Sequence, residues 1–478
     1  LTTLQHTFVL DMDAVQLKAE LDSGQITSRQ ATEAYIAQCQ ATNPAVNFLV
    51  EERFTKALAE ADQADKERNT TKMTGKLFGV PISMKESFDV AGMQTTGGLP
   101  YRKGQMQTTD AEIVRRLKAE GAILIGKTNT PALCFCQETD NALYGRTNNP
   151  YDLSRTVGGS SGGEGAAIAL GAAAAGIGSD IGGSIRFPSH FTGVIGFKSG
   201  NSQVSSIGSY PAEEHPLQQR MLGIGPMTKS VRDAKLLYSI IADELPMENE
   251  LNQYTVTFLP DMKLPLSKET EGFLQAIKGF LSTEFPIRED IPPHFQESAE
   301  LWQEIMSIDG ASGAAVEAFG TRPIRPVREF LLDKAGKQTD LHRYLSWALI
   351  GASLFKPSAE RVAEIETIIE KGDAELDRYL DKRILVLPVY HTAALSHGIV
   401  YKELFSIRKT FLQYIPYVAY ANVWGLPALT IPIGADRDGM PLGVQLVSKI
   451  GNEDALFALG ARLEEEYKGY SRVIPSFI

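Results

Sequence analysis

A chain of 478 residues, 43% hydrophobic and 22% charged, is long enough to bury a large core and too ordinary in composition for wholesale disorder, a collagen-like repeat or a coiled coil. Its 47 basic against 58 acidic side chains leave a formal charge of -11, which offers no electrostatic footprint for nucleic acid or an anionic membrane surface. Three cysteines, Cys39, Cys134 and Cys136, are an odd number in a long chain, so no disulfide framework is required and a reducing, cytoplasmic compartment is expected.

The opening stretch LTTLQHTFVLDMD has no basic segment ahead of a long apolar run, so it does not read as a signal peptide. Residues 1–75 are expected to form an N-terminal helical segment. Thr27 and Gln30 have capping-box spacing, Ala31, Tyr35, Ile36 and Cys39 follow at helical period, and a charged, Ala-rich stretch runs from 51 to 68. From residue 76 the pattern turns to strand, loop and helix in alternation. LFGVPISMKES predicts a strand ending near Lys85; AEIVRRLKAEG predicts a helix closed by Gly121 and running into the strand AILIG.

Residues 201–383 are more polar, with the proline clusters FPIREDIPPHF and GTRPIRPVREF ahead of an amphipathic helix from about 358 to 382. They are expected to form a helical insertion that caps the substrate site. ILVLPV, ALTIPIG and PLGVQLVS then return to strand character, the last two across an Asp438-Gly439 turn, and a helix from about 452 to 468 follows. The uncharged run 410–435 exceeds the length of a membrane span, but Pro416, Pro427, Pro432, Gly425 and Gly434 interrupt it. It predicts a buried helix to about Val423, a turn and a buried strand, with no transmembrane segment. The expected fold is a single large α/β domain in which segments 76–200 and 384–478 share one mixed, mostly parallel central sheet flanked by helices.

Thirteen of the 42 glycines fall within residues 158–200, a window with only four charged residues. Glycine lets two backbones approach closely and leaves N–H groups uncovered where a developing oxyanion could sit. A Gly/Ala-rich helix packed under a sheet explains residues 166–175. It does not explain serines set between glycine pairs, Ser160-Ser161 and Ser184.

GGSSGG at 158–163, followed by GSDIGGSIRFP at 178–188, resembles the hallmark of the amidase signature hydrolases. The likeness extends to GVPISMKES upstream and to GLPALTIPIG and GMPLGVQLV downstream, and fades over residues 201–380. GGEGA and GSIRFPS lean toward the fatty acid amide hydrolase-like branch, whereas GFKSG departs from the usual G-x-K-P-T after Lys198. The resemblance implies a triad of Lys85, Ser160 and Ser184, with a cis peptide ahead of Ser160. It also implies an oxyanion hole from the N–H groups of Ile181, Gly182, Gly183 and Ser184, and an acyl pocket lined by Cys134 and Phe135. The implied reaction hydrolyses a small-molecule carboxylic acid amide without metal or organic cofactor, in a protein for which a homodimer is allowed.

The chemistry stands beside the name. A serine hydroxyl is a weak nucleophile at neutral pH, and a lysine can serve as its base only where burial keeps the amine neutral. Lys85, at the end of an apolar strand, meets that condition. Ser161, Asp180 and Arg186 read as supporting residues that pair or cap backbone near the glycine turns. Cys134-Phe135-Cys136 is a weak metal signal, and His190 reads as a packed residue rather than a ligand.

Three other readings compete. Gly158, Ser160 and Gly162 satisfy G-x-S-x-G, but a nucleophile elbow needs a buried strand just before it, and NPYDLSRTV is polar and broken by proline. The glutaminase subunit of a tRNA-dependent amidotransferase shares the same machinery. A non-catalytic binding protein on the same scaffold is the third.

Overall fold

Thr27 and Gln30 exchange the two hydrogen bonds of a capping box, each 3.0 Å long, and start the helix Ser28–Val46, which buries Ala31, Tyr35, Ile36 and Cys39. The structure, a computed structural model, describes residues 8–70, 75–213, 215–245, 247–405 and 408–476. Helix Phe54–Thr70 packs beside Ser28–Val46. Between the two lies a strand that an all-helical reading of residues 1–75 misses, β1 (Leu49–Glu52). Four residues are too few for a period to register. The Asn43 side chain sets this strand by accepting the N–H groups of Phe48 and Leu49, both at 2.8 Å.

The strand expected at Lys85 forms as β2 (Pro81–Lys85), buried throughout. Its parallel neighbour is β3 (Ile123–Thr128), which in turn pairs antiparallel with β1. Helix Glu112–Ala119 leads into β3 through Gly121, whose φ of +81° permits the turn. The Ala174 N–H donates to the Pro81 carbonyl at 3.2 Å and brings β2 beside β4 (Ala175–Asp180).

The main sheet contains β4, β5 (Ile195–Lys198), β6 (Gly223–Thr228), β7 (Thr255–Phe258), β8 (Ile287–Glu289), β9 (Arg383–Pro388), β10 (Ala428–Ala435) and β11 (Pro441–Val447), in the spatial order β4-β6-β5-β10-β11-β9-β7-β8. Pairing of β5 with β10 joins the segments on either side of the middle region into one sheet. The α/β fold with a mixed sheet is as expected, with two corrections.

The sheet is not mostly parallel. Among the described residues only β7–β8 and β7–β9 run parallel in it; the other five neighbouring pairs are antiparallel. Parallel neighbours need a crossover, and here helices Lys268–Leu281 and Ala359–Tyr379 supply it, whereas β10 turns directly into β11 through Gly439 at φ +79°. Nor are residues 201–383 a purely helical insertion, because β6, β7 and β8 lie within them. These strands escape a pattern reading for a physical reason. β6 is broken by Gly225 and Pro226, and β8 is a three-residue edge strand without a buried residue.

The uncharged run 410–435 folds as predicted, with helix Pro416–Val423 buried along its whole length, then a turn and β10. Among the described residues no helix is long and apolar enough to cross a membrane. The helix Ala359–Tyr379, capped by Ser358, and the helix Glu453–Tyr467 also stand where the sequence put them.

Candidate active site

β2 and β4 deliver two side chains to one place. Lys85 ends β2 fully buried, with its Nζ 2.6 Å from Ser160 Oγ and 2.9 Å from Ser179 Oγ. Burial pushes its pKa below the ordinary lysine value, against the opposing pull of Cys134, Asp180 and Glu164. A neutral amine so placed can accept the Ser160 proton while donating to Ser179. Ser179 was not singled out in the sequence, although it precedes Asp180 in the GSD string.

The Gly159–Ser160 peptide is cis. A Cβ at Gly159 would fall 2.6 Å from the Cys136 carbonyl oxygen, so only glycine lets this turn pack against the 134–138 segment. The described residues just before Ser160 form no strand, and the buried helix Gly162–Ala169 follows it. The nucleophile-elbow reading therefore lacks its scaffold.

Ser184 lies on the turn between β4 and helix Arg186–Thr192, 4% exposed. Asp180 organises that turn. Its carboxylate accepts the N–H groups of Gly183 at 2.8 Å, Ile185 at 3.1 Å and Arg186 at 3.3 Å, and takes two 3.0 Å bonds from the Arg186 guanidinium. Burial alone would raise the Asp180 pKa, but Arg186 overrides it and holds the carboxylate ionised. Arg186 also bonds Gln445 and Asn422. Ser161 clamps the two loops together, its N–H donating to the Ser184 carbonyl at 3.0 Å. Asp180, Arg186 and Ser161 thus hold the turn in place.

One expected oxyanion donor is corrected here. The Gly183 N–H is committed to Asp180, because φ of +91° at Gly183 turns the peptide back toward the carboxylate. The N–H groups of Ile181, Gly182 and Ser184 have no hydrogen-bond partner among the described residues and are left for a ligand.

Ser160, Ser179, Ser184, Ile181, Cys134 and Phe135 line one cavity of about 440 Å³. Among the described residues no hydrogen bond joins the Ser160 and Ser184 hydroxyls. Such contacts commonly tighten only when substrate is bound. Sequence reasoning missed Trp302 and Gln137, which brace the turn that carries Ser184: Trp302 Nε1 donates to the Ile181 carbonyl at 2.7 Å and Gln137 Nε2 to that of Gly182 at 2.9 Å. Only long-range packing brings these residues to the loop, so no local signal marks them. His190 is packed as expected. Its Nδ1 accepts the Gly443 N–H and its Nε2 faces the Thr392 carbonyl, each at 2.9 Å, and burial pushes its pKa down to about 4.

The buried Asp180–Arg186 pair carries a stability prediction. Arg186→Met leaves Asp180 buried without its cation and is expected to destabilise the fold by about 3–5 kcal/mol, read as a lower urea midpoint at neutral pH. Because the folded-state pKa of Asp180 is depressed, its contribution is present above the ordinary aspartate pKa and is lost as pH falls toward the folded value. The variant and parent should therefore converge in strong acid.

The amidase family model matches residues 30–457. Fatty-acid amide hydrolase 2-B of Danio rerio is 32% identical over 489 residues, covering 97% of this chain and 90% of that protein. A glutamyl-tRNA(Gln) amidotransferase component from a Cyanothece species is 28% identical, covering 96% of this chain and 98% of that protein. A solved structure described as an amidase superposes with a TM-score of 0.76 at 28% identity, covering 95% of this chain and all of that one. Matching nearly end to end in sequence and in fold, the chain belongs to the amidase signature family and is a hydrolase of amide C–N bonds.

Proposed function

We propose that the chain hydrolyses amides with an apolar acyl group through an acyl-enzyme on Ser184, with Ser160 as relay and Lys85 as base. The observation that carries this reading is the buried 2.6 Å contact of Lys85 with Ser160, on the cavity that Ser184 also lines with a hydroxyl that makes no hydrogen bond among the described residues. Neutral Lys85 takes the Ser160 proton as Ser160 takes that of Ser184, and Ser184 Oγ bonds to the carbonyl carbon. The resulting oxyanion accepts from the N–H groups of Ile181, Gly182 and Ser184. The Lys85 ammonium then returns its proton through Ser160 to the leaving nitrogen as the C–N bond breaks. Water, deprotonated by the same route, releases the acid and restores Ser184.

The cavity wall supports an apolar acyl group. Phe135, Trp302, Met306, Trp347, Leu404 and Phe411 line it, and Glu213 is its only acidic side chain among the described residues. A glutamine substrate would bring an ammonium and a carboxylate against that wall, which disfavours the glutaminase reading. One relative, at 32% identity, is a fatty-acid amide hydrolase, and the amidotransferase relative is at 28%.

The test is amine release from primary amides of increasing acyl length, from aryl amides and from glutamine. Each added methylene that finds the wall should raise kcat/KM by about fourfold, from about 0.8 kcal/mol of burial, until the cavity is filled. Glutamine should lie at least ~100-fold below the best apolar amide. Glutamine as the best substrate would overturn the reading.

A further inference from the structure

Apolar and uncharged side chains make up the wall of the cavity beside Ser184, except for one acid that takes no part in the proton relay. Glu213 is half-buried and lines that cavity. The segment that carries it is pinned on both sides. Ahead of it, the Tyr210 N–H donates to the Ser87 carbonyl at 2.7 Å, just beyond Lys85. Behind it, Gln219 Nε2 donates to the Glu213 carbonyl at 2.8 Å. Gln218 Nε2 then donates to the Ile305 carbonyl at 3.0 Å, which ties this stretch to helix Ser298–Met306, the source of Trp302 and Met306 on the same cavity. The backbone of Glu213 is thus fixed, while its carboxyl has no hydrogen bond or ion pair among the described residues.

Among the described residues no lysine, arginine or histidine lines the cavity. Charged groups on the neighbouring elements are matched elsewhere. Lys85, behind the wall, bonds Ser160 and Ser179. The Tyr210 hydroxyl donates to Glu317, with which Arg102 also pairs while lying over the Tyr210 ring. Arg220 pairs with Asp373, Glu304 pairs with Arg361, and His215 Nδ1 accepts the Leu217 N–H. Burial pushes the Glu213 pKa up to about 7, and no neighbouring charge opposes it. A carboxylate kept from bulk water without a counter-charge is costly. A cation that arrives with the substrate offsets that cost by pairing with it.

We propose that Glu213 is a subsite for a substrate ammonium, so that the amides hydrolysed here carry a basic amine as well as an apolar body. This deepens, and rests on, the reading of the chain as an amidase with Ser184 as nucleophile and an apolar cavity. The ammonium donates charge-assisted hydrogen bonds to the carboxylate, and the apolar wall keeps competing water away from them. Its arrival also favours the ionised carboxyl, since an opposite charge within about 4–6 Å lowers a carboxyl pKa by roughly 1–3. A carboxylate on the substrate finds no such partner in the wall. The preferred amides therefore carry an amine without the acid group of a free amino acid.

The experiment is kcat/KM for matched pairs of amides in the full chain, Glu213→Gln and Glu213→Ala, at about pH 8, where the Glu213 carboxyl is mostly ionised before substrate binds. One arm sets primary amides of ω-aminoalkanoic acids against alkanamides with a methyl in place of the ammonium. The other sets N-(ω-aminoalkyl) alkanamides against N-alkyl alkanamides, so the two arms put the cation on the acyl side or on the leaving side. In at least one arm the ammonium-to-methyl ratio is expected to fall by about 10- to 150-fold in Glu213→Gln, the worth of a hydrogen bond to a charged group. A merely structural effect slows both members of a pair alike and leaves the ratio where it was. Glu213→Ala should lower the ratio as well, and it decides the matter if Glu213→Gln does not fold. A ratio unmoved in both arms would overturn the proposal while leaving the amidase reading intact. Failure of the underlying reading looks different, for then the parent would turn over neither member of any pair, and both would fall.

Discussion

Ser184→Ala is expected to lower kcat for amide hydrolysis by roughly 10⁴-fold or more, the usual consequence of deleting a nucleophile whose partners act as a unit. The fold should survive. Among the described residues the Ser184 hydroxyl makes no hydrogen bond, so its removal orphans no buried partner. The backbone bonds that hold the turn, from Ser161 to the Ser184 carbonyl and from Gly183 and Ile185 to Asp180, do not involve the side chain. Stability should therefore stay within about 0.5 kcal/mol of the parent, and KM should change little. A fluorophosphonate probe should add one mass increment to the parent and none to the variant. Labelling mapped to Ser160 in place of Ser184 would contradict the assignment.

Lys85→Ala comes second in size. General acid–base groups contribute about 10²–10⁴-fold, and in the proposed scheme Lys85 serves twice, in attack and in protonation of the leaving nitrogen. The loss on amides is expected near the upper end of that range. Esters should lose less, because an alkoxide leaves more readily than an amine anion and depends less on the returned proton. A panel of matched amides and esters should show the amide-to-ester rate ratio falling in the variant. The pH profile checks the same residue by another route. Since burial lowers the Lys85 pKa, the parent's activity should rise as pH climbs through that value, and the variant should lose this limb. An equal loss on amides and esters with the limb intact would mean that Lys85 shapes the site without moving protons.

What was legible in the sequence follows a physical line. The GVPISMKES, GGSSGG and GSDIGGSIRFP strings are local, so the resemblance they carry, and the expectation of Lys85, Ser160 and Ser184 that it implies, needed no fold; in the structure Lys85 bonds Ser160, and Ser160 and Ser184 line one cavity. Local patterns also announced the Thr27 cap, the helix closed by Gly121 and the division of the uncharged run at 410–435 into helix and strand. Strand direction was not legible, because hydrophobic period says nothing about which neighbour a strand will find, and the mixed sheet, expected to be mostly parallel, proved largely antiparallel.

The site divides the same way. The four N–H groups from Ile181 to Ser184 looked equivalent in sequence, but the Asp180 carboxylate, held by Arg186 and by Asn422 from a distant helix while Gln445 accepts from Arg186, claims that of Gly183 alone among them. Glu164 stood in the GGEGA string as a branch marker; pairing of β2 with β3 gives it two hydroxyl donors beside Lys85. Trp302, Met306 and Trp347, on helices Ser298–Met306 and Arg343–Leu354, carry no motif at all and line the cavity beside Ser184. The sequence by itself determined the family, and with it the class of reaction, because the GGSSGG and GSDIGGSIRFP strings that carry the resemblance are short and local and can be read without the fold. Which N–H groups stay free, what surrounds Lys85 and which side chains line the cavity were decided by tertiary structure, because each depends on contacts between segments tens to hundreds of residues apart.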